Sequence, residues 1–284
     1  PCMPMRRPQA RCLGAASEAL GAPVTLAADL TQPFSLPEGL PVLPFRRDDF
    51  PARGLPLLPQ PDRALWYNGD YVLALIAETG PEFAALFCGC VYAGAWPVPL
   101  PLPTSFGGKE SYIDQLAVQL QSSDPKILFY PAEIAEMAGA AAARQGCEGI
   151  TWQDFAMAPA PECALPAAHP DDICYLQYSS GSTRFPHGVA VTHASLLNNL
   201  AGHSHGMKIQ QSDRCVSWLP WYHDMGLVGC FLSPIANSVS VDYLKTEDFA
   251  RRPLAWLDLI SRNKGTTLSY SPTFGYDICA RRIS

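Results

Sequence analysis

The stretch "CYLQYSSGSTRFPHGVAVTH", residues 174–193, decides how this chain is read. It opens as an apolar run, breaks at Ser179 and Ser180 into small and hydroxylated residues around Gly181, and resumes as the apolar run "GVAVTH". Short apolar runs bounded by turn residues predict two buried strands with a loop between them. Within that loop Gly181 lets backbone approach a ligand closely and offer N–H groups in a concave nest. The hydroxyls of Ser179, Ser180, Ser182 and Thr183 can donate to phosphate oxygens or ligate Mg²⁺. By composition alone the same residues also read as a solvated serine-rich turn. The Gly-x-x-x-x-Gly-Lys-Ser/Thr pattern of a P-loop is absent. So is the Gly-x-Ser-x-Gly elbow that presents a hydrolase serine.

Working outward, strands and helices alternate. "YVLALIAE" (71–78) is a continuous apolar run and reads as a buried strand; "PEFAALFCGCVYAGA" (81–95) opens with Pro81 and reads as a buried helix. A helix over 111–123, a strand over 126–130 and a helix over 132–145 follow. Past the loop the pattern predicts a helix from His193 capped by Thr192, then a strand over 214–219, a helix over 224–236 and a strand over 238–244. A helix over 251–263, a strand over 266–271 and a helix over 273–283 close the chain. Such alternation implies crossover connections, hence an α/β fold of mostly parallel sheets flanked by helices. Ligands in such sheets sit beyond the carboxyl ends of the strands, and the quoted loop is expected to be one of those ends. Composition divides the chain into a proline-rich N-terminal arm (1–62), a first α/β subdomain (63–170) and a second subdomain carrying the loop (171–284).

The totals narrow the function. A net charge of −6 argues against a nucleic-acid binder, whose footprint is a basic face. It says nothing against ATP, because loops and helix N-termini hold phosphate through backbone N–H groups. The sequence has no run long enough to span a membrane, and the basic N-terminus lacks the apolar segment of a signal peptide. The 10 cysteines lie mostly inside apolar segments and never as Cys-x-x-Cys, so they are expected to be reduced, packed as small hydrophobes in a cytoplasmic protein. His203 and His205 in "GHSHG" offer a pair of imidazoles without a third ligand, so no metal is expected there.

The continuation of the loop makes it specific. "YSSGSTRFPHGVAVTH" resembles the phosphate-binding signature of the adenylate-forming superfamily of acyl-CoA synthetases, luciferases and peptide-synthetase adenylation domains. That signature runs Ser/Thr-Ser-Gly-Ser/Thr-Thr-Gly-x-Pro-Lys-Gly-Val. Ser179, Ser180, Gly181, Ser182, Thr183, Pro186, Gly188 and Val189 match it, whereas Arg184 stands at the second glycine and His187 at the lysine. Neutral imidazole is a poorer phosphate partner than an ammonium, and Arg184 with its planar fork of donors is the candidate to take over part of that role. "RCVSWLPWYHDMGLVG" (214–229) resembles the next motif in its fatty acyl-AMP ligase form, Leu-Pro-x-x-His-Asp-Met-Gly-Leu. Taken alone, His223-Asp224 reads as a helix start with Asp224 as the cap. The resemblance implies instead that His223, Asp224, Met225 and Gly226 line the substrate pocket, with Gly226 and Gly229 leaving room for an alkyl chain. A Ser180-His223-Asp224 triad is not expected, on the argument that adjacent His and Asp side chains diverge.

The resemblance covers most of the chain from residue 70 onward, with a short proline-rich bridge at 51–70 where the family carries a further helix and strand. The superfamily's later nucleotide motifs and its small C-terminal domain have no counterpart here. The chain therefore reads as an incomplete large N-terminal domain, a fragment of a longer enzyme and inactive alone. The resemblance implies ATP and Mg²⁺ as cofactors, the phosphates held by residues 179–184 and Gly188, with His223 and Thr183 in catalysis and Thr183 also as metal ligand. The expected reaction joins a fatty acid to AMP and passes the acyl group to the thiol of an acyl carrier protein or polyketide synthase. A long-chain acyl-CoA ligase using free CoA is the neighbouring alternative. A non-catalytic module binding acyl chains or carrier proteins is the alternative from another class.

Overall fold

The computed structural model describes residues 72–103, 108–156, 168–178 and 188–283. The arm at 1–62, the bridge at 51–70 and the loop residues 179–187 lie outside them. Chain contacts divide the molecule after Ala194 into two units.

In the unit that ends at Ala194, β1 (Val72–Ile76), α1 (Pro81–Tyr92), β2 (Trp96–Leu100), α2 (Lys109–Ser123) and β3 (Ile127–Tyr130) follow in order. A single 3-10 turn (Ala132–Ile134), α3 (Ala135–Gln145), β4 (Glu148–Thr151) and the short α4 (Trp152–Ala156) come next. The four strands make a parallel sheet in the order β2-β1-β3-β4. β1 lies inside it, and each of its side chains is buried. That is why "VLALI" shows no alternation: a parallel strand covered on both faces is apolar at every position. Val72, Ala74 and Ile76 face Tyr112, Leu116 and Leu120 of α2 and Ala138 and Ala142 of α3. On the opposite parity Leu73, Leu75 and Phe129 are fully buried, and Phe129 packs edge-on to Phe155 and stacks with Trp152.

β2 was not apparent from periodicity because Pro97 and Pro99 interrupt it. Both prolines share one parity and the ladder to β1 is intact, so their missing N–H groups fall on the outer edge of the sheet. β5 (Ile173–Tyr178) lies along that edge without pairing to it, and Phe87 of α1 packs on Tyr175. β5 pairs instead with β6 (Gly188–Thr192), and the pairing is antiparallel. This corrects two expectations. The signature loop joins the strands of a hairpin rather than leading from a parallel strand into a crossover, and β6 is partly exposed, with Val189 51% accessible. The two runs look alike in sequence because both are apolar, and only β5 is given a second layer to cover it.

The other unit begins inside α5 (His193–Met207), whose opening N–H groups at His193 and Ala194 donate to the carbonyls of Asp172 and Pro170. β7 (Arg214–Ser217), β8 (Ser240–Tyr243) and β9 (Thr267–Leu268) form a parallel sheet in the order β8-β7-β9. Between β7 and β8 the chain makes a π-helical segment (Met225–Leu232) that runs into α6 (Ser233–Asn237). α8 (Leu254–Arg262) lies within the helix expected over 251–263 and starts after Pro253, and a short helix not expected from sequence, α7 (Thr246–Arg251), precedes it. α9 (Thr273–Ile283) closes the described chain as expected. Arg214 grips Asp242 across β7 and β8 with two hydrogen bonds of 2.6 and 2.5 Å. The core of this unit is aromatic: Trp218 stacks on Phe249 at 3.8 Å and meets Trp256 edge-on.

Among the described residues no helix is long and apolar enough to cross a membrane. The seven described cysteines are free thiols and five of them are buried, as expected of cysteines packed as hydrophobes. Desolvation pushes the Cys88 and Cys174 thiols up, to about 11 and about 12, so both stay protonated and inert.

Candidate functional site

The chain leaves the carboxyl end of β7 through Trp218-Leu219-Pro220 and turns into the π-helical segment at His223 and Asp224. Several short bonds hold that exit. The Thr246 hydroxyl donates to the Trp218 carbonyl (2.9 Å), Leu244 N–H donates to the Ser217 carbonyl (2.9 Å), and the Ser217 hydroxyl accepts from Leu219 N–H (3.1 Å). The His223 ring is therefore presented on a fixed turn, half-buried, with Asp224 and Met225 exposed beside it.

Asp224 caps the segment, its carboxylate accepting from Met225 N–H at 2.7 Å, which the reading of His223-Asp224 as a helix start anticipated. The same Oδ1 lies 2.6 Å from Nδ1 of His223. That distance overturns the argument that neighbouring His and Asp side chains diverge. At a helix start the two residues stand on a tight turn, and both side chains fold back over the first free N–H. Met225 N–H also lies 3.3 Å from Nδ1 of His223, but it is closer to Asp224, and the 2.6 Å contact to the carboxylate needs a proton on Nδ1. The shorter contact therefore sets the tautomer and leaves Nε2 as an acceptor. Ser180, the third member of the triad considered from sequence, lies outside the described residues.

Gly226 is buried, and a Cβ there would sit 2.1 Å from the Pro220 carbonyl oxygen and 3.1 Å from that of Leu219. The room expected beside Gly226 is filled by the chain's own backbone. The glycine lets the β7 exit pack directly onto the π-helical segment, which fixes His223 and Asp224. Gly229 differs, for a Cβ there would stand 3.9 Å from the nearest atom, Cδ2 of Tyr270. Space beside the segment, where it exists, is at Gly229 and is walled by Tyr270.

Tyr270 belongs to a network that sequence reasoning missed. Its hydroxyl lies 3.1 Å from Nε2 of His203, and Nδ1 of His203 lies 2.8 Å from the hydroxyl of the fully buried Ser233. Burial pushes the His203 pKa down and that of Tyr270 up to about 12, so both are neutral at physiological pH. His203 drew notice in the sequence only as half of a possible metal pair, and both its nitrogens are engaged by hydroxyls. No local signal joins residues 203, 233 and 270, which meet only through the fold.

The other expected site residues are reached less directly. Gly188 opens β6 opposite Tyr178 of β5, and its backbone marks where the loop returns to the hairpin. The Tyr178 hydroxyl donates to the Gln119 carbonyl at 3.1 Å, tying the departure point of the loop to α2. Ser179, Ser180, Gly181, Ser182, Thr183 and Arg184 lie outside the described residues. Among the described residues no cluster of His, Cys, Asp and Glu is arranged to hold a metal ion.

A family profile described as AMP-binding enzyme matches residues 67–283. The chain is similar to a protein of Caulobacter vibrioides called a putative acyl-CoA synthetase, 48% identical over 221 residues that make up 76% of this chain and 37% of that protein. It is also similar to the medium-chain-fatty-acid–[acyl-carrier-protein] ligase TtuA of Teredinibacter turnerae, 44% identical over 118 residues, or 42% of this chain and 18% of that one. A solved structure from work on the fatty acyl-adenylate ligases of E. coli and L. pneumophila superposes with a TM-score of 0.72 at 45% identity, over 78% of this chain and 40% of that one. The chain spans well under half the length of the relatives it matches. Because the profile match runs from before β1 through the signature hairpin and the His223-Asp224 turn to the end of α9, the chain belongs to the AMP-binding enzyme family.

Proposed function

We propose that this chain supplies the phosphate loop and part of the acyl side of an enzyme that activates a fatty acid as its acyl-adenylate. The observation that supports this best is the joint presence, within one family match, of the loop signature at 179–189 and the His223-Asp224 motif. A carboxylate oxygen of the fatty acid attacks the α-phosphorus of MgATP in line. A C–O–P linkage forms, the bond to the bridging oxygen breaks, and pyrophosphate leaves with the electron pair. No proton need move, so catalysis rests on positioning and on charge stabilisation. Ser179, Ser180, Gly181, Ser182, Thr183 and Gly188 cradle the departing phosphates through backbone N–H groups and hydroxyls, and Thr183 is the side chain for the magnesium that accompanies them. Arg184 supplies cationic donors where His187 supplies none at neutral pH. Asp224 orients His223 at the reacting carboxylate, Met225 completes that side of the pocket, and Gly226 seats their turn against the β7 exit. The acyl group then passes to the thiol of a carrier protein: a C–S bond forms, the anhydride C–O bond breaks, AMP leaves, and the thiol proton goes to solvent. Soluble, cytoplasmic placement fits both substrates.

The test uses the protein expressed from its complete reading frame with radiolabelled fatty acid and MgATP, followed by nothing, free CoA, or a holo carrier protein. Acyl-adenylate that discharges onto the carrier protein and not onto CoA is the expected result. Discharge onto CoA would move the protein to the acyl-CoA synthetases. Absence of adenylate in all arms would make the chain a binding module.

A further inference from the structure

The segment Met225–Leu232 is π-helical, with hydrogen bonds that skip one residue more than an α-helix allows. Ser233 closes its last turn, donating its N–H to the carbonyl of Val228, five residues back. In an α-helix that N–H would go to Gly229. The wider register is the less favourable one for an isolated chain, so something outside the segment has to hold it.

Ser233 is the point where that hold is applied. Its carbonyl accepts from the Asn237 side chain at 2.7 Å, and its hydroxyl meets Nδ1 of His203 at 2.8 Å. The other ring nitrogen of His203 meets the hydroxyl of Tyr270, whose ring edge faces Gly229 inside the π-helical segment. A neutral imidazole carries one donor and one acceptor, and a hydroxyl can be either, so Ser233, His203 and Tyr270 satisfy one another in either tautomer. The ring spans from the end of the segment to the residue that walls its middle. Collapse to α-helix would rotate everything before Val228 by about 100° relative to α6 and shift it by about 1.5 Å, since these are the turn and rise of one residue. His223 and Asp224 would move with it.

We propose that His203 is a positioning residue: by bridging Ser233 to Tyr270 it holds the Met225–Leu232 segment in its π-helical register and so fixes where His223 and Asp224 stand. The inference rests on the acyl-adenylate reading for its consequence, and on hydrogen bonding alone for its register claim. The bridge lies on the acyl side of the proposed site, so its loss acts on the fatty acid rather than on ATP.

The experiment compares His203→Leu with His203→Gln in the protein expressed from its complete reading frame. Gln keeps one donor and one acceptor, whereas Leu keeps neither. Amide hydrogen exchange over residues 225–237 reads the register, and adenylation kinetics read KM for fatty acid and for MgATP separately. Expected for His203→Leu are faster exchange from Gly226 to Ser233, a KM for fatty acid raised on the order of tenfold, and a KM for MgATP within about twofold, a misplacement of about 1 Å being worth up to a hundredfold. His203→Gln should recover most of both losses. Unchanged exchange in His203→Leu would overturn the register claim, and equal rises in both KM values would reduce His203 to general packing. The exchange arm needs no turnover. If the parent protein makes no adenylate, the functional reading fails while the exchange result still decides the register claim.

Discussion

The parallel sheet of β1 to β4 and the smaller sheet of β7 to β9 are built from similar strands, yet different forces hold them. Around β1 the packing is almost wholly apolar: Leu73, Ala74, Leu75 and Ile76 have no accessible surface, and α2 and α3 close over Ala74 and Ile76 with alanine and leucine. Around β7 the core holds three tryptophan–phenylalanine contacts through Trp218 and Trp256, and its margins are pinned by side chains bonded to backbone, Thr246 to Trp218 and Ser269 to Val216 among them. Burial alone needs only volume and apolarity, and many sequences supply it. Side-chain-to-backbone bonds specify position, and they gather where the chain leaves β7 and turns into His223 and Asp224. The first sheet is a scaffold, and the second is a mounting for particular atoms.

That contrast makes distinct predictions. The largest effect is expected in the scaffold. Phe129→Ala removes a fully buried ring packed on Trp152 and Phe155 and should lower unfolding free energy by about 3–5 kcal/mol, read by denaturant titration. At a permissive temperature the KM values of the surviving folded protein should stay within about twofold, since large kinetic losses come from misplaced reacting groups. If they change tenfold instead, the division of labour between the sheets is wrong. Next comes Gly226→Ala. The added methyl would meet the Pro220 carbonyl at 2.1 Å, which backbone has to yield to. Overpacking of this kind costs about 1–3 kcal/mol, but here it displaces the mount of His223, so adenylation should fall by more than the stability loss explains. Gly229→Ala is the control, because its methyl finds an ordinary contact at 3.9 Å and should leave the melting temperature unchanged.

How far the sequence disclosed this follows the same division. β1 was legible as a continuous apolar run, and helices that bury one face, such as α2 and α9, were legible because periodicity reports burial. β2 and β4 were not: Pro97 and Pro99 erase the strand signal in one, and "EGIT" is too short and too polar to make one in the other. The hairpin of β5 and β6 was mistaken for a parallel unit because apolar runs carry no record of direction. At the site, the motif located His223 and Asp224, and capping chemistry foretold the bond from Met225 N–H. Their mutual contact at 2.6 Å was missed, because it depends on how tightly the turn folds back. The reason for Gly226 was missed as well, since a glycine that admits a carbonyl and one that admits a ligand look the same in a sequence. Tertiary meetings such as His203 with Ser233 and Tyr270 leave no local trace at all.

A smaller effect sharpens the comparison at the cap. Asp224→Ala removes the acceptor for Met225 N–H and should cost about 1 kcal/mol, together with the orienting contact to His223. Asp224→Asn keeps an oxygen for the cap while removing the charge. Melting temperature should therefore recover in Asp224→Asn, whereas adenylation should not. Recovery of both would mean that Asp224 serves only to start the helix.

The smallest effect is a dependence of stability on pH, and it draws on one histidine from each unit. Burial pushes His193 and His203 below their ordinary value of 6.5, with Asp172 opposing the shift at His193 only in part. A base whose folded pKa is depressed favours its neutral form in the native state. The unfolded chain takes up the proton first, so stability is full above about pH 6.5 and declines as the pH falls through the lower, folded values. Thermal melts from pH 7.5 down to pH 5 should show this loss, and His203→Gln should flatten part of the slope by removing one of the two groups. If that variant keeps the full slope, His203 is already free to take up its proton in the folded state. Its ring would then be too loosely held to bridge Ser233 and Tyr270, and the tight mounting inferred around β7 would lose its central support.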